Sequence, residues 1–228
     1  MIKKLSKVGI CHINTNGENQ DSICHGQNEN FYVISLADGV STCMEAKSGA
    51  KIASESLTNL LLKKGEYFLK FNNNQIAKFA LEHILFRLKQ TAKDNSKAIE
   101  EYSSTIASVL VDRKEKKMLC FSLGDSLILA VGYGKCHILA MPSESSDECC
   151  VTTTKRAEVM TLVKKLDASS IESVIICSDG AWREMVIKNK LKPEVYSMLI
   201  NKEYNRLKEF FLEQNCWDDY SFISLDIS

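Results

Sequence analysis

Residues 174–182 read VIICSDGAW, and the rest of the chain can be read outward from them. Val174, Ile175, Ile176 and Cys177 make an apolar run long enough for a buried strand. Gly180 follows soon after, where the backbone can turn sharply or approach a ligand closely. Asp179 would then project from a strand end. An Asp-Gly pair after a strand is also ordinary turn chemistry, so one instance decides nothing. The arrangement recurs. FYVISLADG (31–39) ends at Asp38-Gly39, MLCFSLGDS (118–126) at Asp125-Ser126, ENQDS (18–22) carries Asp21, and CWDDYSFISL (216–225) places Asp218-Asp219 just before a last strand. Carboxylates repeated at strand boundaries, each beside a small or polar residue, read as one convergent site rather than as unrelated turns.

Composition narrows the class. A chain of 228 residues is long enough to bury a proper core. Lys+Arg and Asp+Glu are both 29, so no net field draws it toward nucleic acid or an anionic membrane. The short basic stretch KKLSK, Lys3 to Lys7, reads as a solvated tail. The nine cysteines include no C-x-x-C pair, which argues against a structural zinc site and a disulfide framework. Cys120 and Cys177 sit inside apolar runs, where a reduced thiol acts as a small hydrophobe, while Cys149-Cys150 lies in a polar stretch. A reducing, cytoplasmic compartment is expected. The amino terminus lacks a signal-like apolar segment, and no run approaches the roughly 18 residues of a membrane span.

Periodicity supplies the elements. Strands are expected at Val8 to Ile13 and Phe31 to Leu36, then a helix from Ala46 to Leu62. Its small residues Ala46, Gly49, Ala50 and Ala53 suit close approach to a sheet, and Gly65 reads as its stop. A second helix spans Asn74 to Lys93 with caps at Asn72 to Asn74. Four strands at hairpin spacing follow: Thr105 to Val111, Met118 to Leu123, Leu127 to Val131 and Lys135 to Leu139. Pro142 to Cys150 reads as a polar loop, Thr154 to Leu166 and Val195 to Gln214 as helices, and Tyr220 to Ile227 as a closing strand. Strands grouped with strands and helices with helices argue for antiparallel sheet with layered helices, an α+β chain. No linker or repeat divides it, so residues 1–228 are expected to be a single domain.

Aspartates without an accompanying histidine or cysteine cluster make a hard, all-oxygen donor set, suited to Mg²⁺ or Mn²⁺ rather than zinc. Such acids could not crowd together without cation charge, because like charges raise one another's pKa.

The ordered series NQDS (19–22), ADG (37–39), SST (103–105), GDS (124–126), SDG (178–180) and DDYS (218–221) resembles the metal-dependent serine/threonine phosphatases of the PP2C (PPM) type, including a compact bacterial branch. The resemblance implies a four-layer α-β-β-α sandwich of two antiparallel sheets flanked by helices. It implies that Asp38, the Gly39 carbonyl, Asp179 and Asp219 hold two metal ions, with Asp21 close by or acting through water. Asp125 with Asp179 would form a third-metal position. A water between the two core ions would attack the phosphorus of phosphoserine or phosphothreonine. The implied partner is a phosphorylated protein substrate, with no nucleic acid, no membrane, and a monomeric chain. Many members carry an arginine for the substrate phosphate where this chain has Asn16; His12, in a Gly9-Ile10-Cys11-His12 start, is the alternative phosphate contact or proton donor. Asp218 would cap its turn or share the duty of Asp219, Ser104 and Thr105 would pack beneath the site, and Trp182 and Trp217 would be core or rim aromatics. The segment from Asp125 to Asp179 is short, which points to a reduced flap. Two other readings stand beside this one: a pseudophosphatase that binds protein, and a two-metal hydrolase of another phosphate ester.

Overall fold

The computed structural model describes residues 1–141 and 150–227; most of the expected loop from Pro142 to Cys150, with Cys149, lies outside them. The chain opens with β1 (Ile2–Lys7), a short helix α1 (Ile10–Asn14), β2 (Ser22–Gln27) and β3 (Phe31–Ala37). Two long helices follow, α2 (Ala46–Lys70) and α3 (Asn73–Asp94), then a 3-10 turn (Ile99–Tyr102). Next come β4 (Ile106–Asp112), β5 (Lys117–Leu123), β6 (Leu127–Gly132) and β7 (Lys135–Ala140). Beyond the loop lie α4 (Ala157–Met160), β8 (Leu162–Asp167), β9 (Ser173–Cys177) and α5 (Asp179–Met185). A small ribbon of β10 (Val186–Ile187) and β11 (Lys190–Leu191) leads to α6 (Pro193–Ile200), α7 (Tyr204–Glu213) and β12 (Tyr220–Asp226).

Two five-stranded antiparallel sheets result, ordered β1-β12-β9-β6-β7 and β2-β3-β4-β5-β8. Side-chain alternation assigns the layers. Val174 and Ile176 of β9 and Ile223 and Leu225 of β12 meet Ile34, Leu36, Val109 and Cys120 of the other sheet in a central core. Ile175, Cys177 and Phe222 point outward onto Val195, Leu199, Leu207 and Phe211 of α6 and α7. On the opposite outer face, Val33, Leu110 and Phe121 pack under Leu57, Leu61, Phe68, Ile84 and Leu88 of α2 and α3. Both faces of β9 are therefore buried, which is why it reads as a continuous apolar run. The four-layer α+β architecture is the one expected. Burial pushes the Cys120 thiol up to about 12 and raises that of Cys177, in keeping with inert hydrophobes. Among the described residues no helix is long and apolar enough to cross a membrane.

Several expected boundaries are corrected. KKLSK is not a solvated tail but most of β1, an edge strand in register with β12 from Ile2↔Leu225 to Lys7↔Tyr220. Lys4 and Lys7 are exposed at a sheet edge, a position where charge discourages further pairing. The strand expected at Val8 to Ile13 is instead the end of β1, a bend at Gly9, and α1. Gly65 does not stop α2. It lies inside the helix, where a Cβ would come within 2.8 Å of Leu110 and of the Phe31 ring, so it serves close packing. Thr154 to Leu166 is helical only over α4; Leu162–Asp167 pairs with β5 as a second edge strand rich in lysine. The helix expected from Val195 to Gln214 breaks at Lys202, whose left-handed backbone (φ 54) ends α6 with Glu203 N–H donating to the Met198 carbonyl at 2.8 Å. Trp217 is 70 % exposed and belongs to the rim, not the core.

The small face of α2 does approach closely. A Cβ on Gly49 would fall 2.1 Å from the Tyr102 carbonyl oxygen, and that backbone leads straight into Ser103-Ser104-Thr105. Gly49→Ala should therefore destabilise the protein by about 1–3 kcal/mol through forced displacement, outweighing the ~1 kcal/mol that alanine gains in a helix. A urea unfolding curve checks this, and a raised midpoint would refute it.

Candidate active site

Antiparallel register gathers the aspartates. Ser22 pairs with Ala37, so Asp21 before β2 and Asp38 after β3 leave the sheet at the same end. Cys177 pairs with both Leu127 and Phe222, which brings Asp125, Asp179 and Asp219 to the corresponding end of the other sheet. Thr105 grips Asp38 from both sides: the Asp38 N–H donates to Thr105 Oγ1 at 3.0 Å, and the Thr105 N–H to the Asp38 carbonyl at 2.8 Å. Gly39 bridges to Ser104, and the Val40 N–H donates to the Ser103 carbonyl at 3.0 Å. The SST motif thus lies beneath Asp38 and Gly39.

At Asp21 and Asp38 the site concentrates buried acid. Burial raises the pKa of Asp38 well above the usual carboxylate range, and Asp21, Asp179 and Asp125 raise it further. Asp21 is pushed up to about 8, first by burial and then by Asp219 and Asp179, with the nearby Ser221 and Ser178 hydroxyls partly offsetting this. Both carboxylate oxygens of Asp21 are buried and accept no hydrogen bond. Buried oxygens without partners are costly, and the hard, unpartnered oxygens of Asp21 among other carboxylates fit a divalent cation of the Mg²⁺ or Mn²⁺ type.

Asp219 is placed differently. Its Oδ1 accepts the Gly9 N–H at 2.8 Å, its Oδ2 accepts the Gln20 N–H at 2.6 Å, and His12 Nδ1 lies 2.9 Å from Oδ2 in an ion-pair contact. This carboxylate, only 2 % exposed, ties α1 and the first motif to the start of β12. Asp218 caps the turn, its Oδ1 accepting the Asp219 N–H at 2.9 Å. With Cys11 and His12 it forms a sulfur, nitrogen and oxygen grouping within 4.8 Å. Asn16 is exposed in the turn after α1, with left-handed backbone (φ 53), and none of its described contacts reaches the aspartates. A chain of hydroxyls joins three motifs: Asn19 Nδ2 donates to Ser6 Oγ at 2.9 Å, Ser221 Oγ to Ser6 Oγ at 2.8 Å, and the Ser221 N–H to Ser178 Oγ at 2.9 Å.

Asp179 begins α5 rather than projecting from a free strand end. Its Oδ1 accepts the Gly180 N–H at 2.6 Å, and Arg183 Nη1 stands 3.0 Å from its Oδ2. Trp182 Nε1 donates to the Asp125 carbonyl at 2.7 Å, joining α5 to the GDS turn. Sequence reading overlooked Arg183. The signal was the i,i+4 spacing Asp179 to Arg183, visible only once a helix is recognised after SDG.

Residues 8–212 match the model of a family described as Protein phosphatase 2C. No curated protein matches the chain in sequence. Among solved structures, a bacterial serine phosphatase is similar at 15 % identity, with a TM-score of 0.69 over 100 % of this chain and 97 % of that one. The serine/threonine phosphatase Stp1 from Staphylococcus aureus gives 16 % identity and 0.71 over 100 % and 94 %. PppA, a key regulatory component of T6SS in Pseudomonas aeruginosa, gives 14 % and 0.68 over 98 % and 96 %. At these identities the likeness is one of fold.

Two stability measurements follow. In EDTA an unfolded aspartate loses its proton near pH 4, whereas folded Asp21 keeps it to about 8. The unfolded state is thus favoured progressively as pH rises through that window, and the melting temperature should fall from pH 5 to pH 8. Added Mn²⁺ should recover more at pH 8 than at pH 5; a melting temperature rising with pH in EDTA would contradict this. Asp38→Asn removes the cost of ionising a buried acid and should raise the EDTA melting temperature most at the alkaline end of that range, while Asp219→Ala, which orphans two amides, should cost about 2–4 kcal/mol. Equal effects of the two substitutions would sink the distinction between crowded and tying carboxylates.

Proposed function

The chain belongs to the protein phosphatase 2C family, and from that membership we propose that it hydrolyses phosphoserine and phosphothreonine in protein substrates with Mg²⁺ or Mn²⁺. The observation that carries the reading is the convergence of buried, mutually repelling carboxylates with the unpartnered oxygens of Asp21.

Asp38, the Gly39 carbonyl, Asp179 and Asp219 would hold two ions, with Asp21 adding its oxygens directly or through water. Asp219 already accepts two amides, but a carboxylate offers about four lone-pair directions, so it keeps capacity for a cation. Asp218, next to it, is the natural substitute donor. When bound, two such ions acidify a shared water and withdraw charge from the phosphoryl oxygens during in-line attack. Thr105 fixes the backbone of Asp38, and the Ser6–Ser221–Ser178 chain holds the other two metal-bearing turns in register. His12, whose Nδ1 lies against Asp219, would donate a proton to a departing serine or threonine oxygen. Cys120 and Cys177, buried with raised thiol pKa values, act as small hydrophobes, which suits a reducing, cytoplasmic setting. A monomeric single domain, without nucleic-acid or membrane partners, completes the proposal.

The test is hydrolysis of a phosphothreonine peptide with Mn²⁺, with Mg²⁺ and with EDTA. Turnover is expected with either ion, none in EDTA, and a loss of roughly 100-fold or more in Asp38→Asn and Asp179→Asn, since metal stabilisation of the transition state is worth several kcal/mol. Turnover insensitive to EDTA would overturn the metal mechanism. Mn²⁺ binding by calorimetry without hydrolysis of any phosphopeptide or small phosphate ester would shift the reading to a protein-binding module.

A further inference from the structure

Arg183 is the residue that neither the motif series nor the composition brings forward. Among the described residues it is the lysine or arginine seen in an ion pair with the aspartates of the candidate site, with Nη1 at 3.0 Å from Asp179 Oδ2. Three features fix it there. Asp179 is the first residue of α5 and Arg183 lies one helical turn later, the spacing that brings two side chains onto one face. Trp182 is anchored to the Asp125 carbonyl, and its ring flanks the guanidinium, whose carbon is 5.9 Å from the ring centroid. Asp179 Oδ1 accepts the Gly180 amide and Oδ2 faces Arg183, so a metal ion on Asp179 is left only the remaining lone pairs, and on the Oδ2 side it meets the guanidinium.

The position is therefore already served by a permanent positive charge. A guanidinium carries five N–H donors in a planar fork and does not lose its proton in proteins. One edge can serve Asp179 while the others face outward, because the Arg183 side chain is 58 % exposed above an Asp179 side chain that is 9 % exposed. Arg183 thus stands at the mouth of the site, with donors in a geometry that matches two oxygens of a phosphate. Asn16 is neutral and exposed, so it offers no such charge.

We infer that Arg183 acts as a built-in third cation at the Asp125–Asp179 corner, closing that corner to a metal ion and receiving an oxygen of the substrate phosphate with its outward N–H groups. The inference rests on the phosphatase reading for the identity of the phosphate ester, but not for the anion contact itself. The chain would then work with two ions, and its phosphate affinity would come from α5 rather than from the segment before the first motif.

Binding measurements on the full chain test this without relying on turnover. Calorimetric titration with Mn²⁺ should give two sites in the wild type and in Arg183→Lys, and an additional weaker site in Arg183→Ala. Inorganic phosphate, titrated into the Mn²⁺-loaded protein, should bind roughly tenfold or more weakly to Arg183→Ala, and with intermediate affinity to Arg183→Lys, as expected for loss of a charge-assisted hydrogen bond. Because the side chain is largely exposed, both variants should melt close to the wild type, which a thermal scan confirms before titration. A third Mn²⁺ site already present in the wild type, or phosphate affinity unchanged in Arg183→Ala, overturns the inference, even if the wild type hydrolyses phosphopeptides. A wild type that binds phosphate through Arg183 yet hydrolyses nothing keeps the inference and removes the phosphatase reading instead.

Discussion

Repulsion among Asp21, Asp38 and Asp179, in a space where burial has removed most of the screening water, is the constraint to which the surrounding structure answers. Burial raises the pKa of Asp21 and Asp38, and the neighbouring carboxylates raise it further. A protein that carries such a cluster gives up stability when no cation is present and recovers it when one binds. The framework must therefore hold the strand ends together against a force that pushes them apart.

Much of that holding is polar and lies just outside the cluster. Asp219 fastens Gly9 and Gln20 to the start of β12, and the hydroxyls of Ser6, Ser221 and Ser178 link β1, β12 and the turn into α5. Thr105 and its neighbours perform the same task for Asp38 and Gly39, resting on a helix that comes close only because Gly49 lacks a side chain. Small polar residues recur in every motif for this reason. Each bonds to a neighbouring turn, which larger side chains would keep at a distance.

The order of motifs and the apolar runs made the architecture legible, because β3, β4, β5, β6 and β9 are buried on both faces and leave a strong signal. The edges were not legible. β1 and β8 are lysine-rich, half-solvated strands whose pairing is decided by their neighbours, and β2 is polar enough to pass for a loop. Likewise the aspartates could be named from their places beside glycine and serine, but their division of labour could not. That Asp219 accepts two distant amides, and that Arg183 folds back onto Asp179, follow from tertiary placement and from an unrecognised short helix. Gly65 shows the opposite error: a residue with strong local meaning was overruled by packing against Phe31.

The pairing of β1 with β12, and of β12 with β9, has a consequence for how the protein is made. β9 and the beginning of α5 leave the ribosome before β12, and β1 leaves earlier still, with its partner some 220 positions further on, Ile2 opposite Leu225. Until that late strand pairs with both, β1 has no partner, β9 is an exposed edge, and Asp219 is absent from the cluster. Contacts of such sequence separation are slow to form. A chain cut short of β12 thus holds Asp21, Asp38 and Asp179 without the strand and the carboxylate that tie Gly9 and Gln20 beside them.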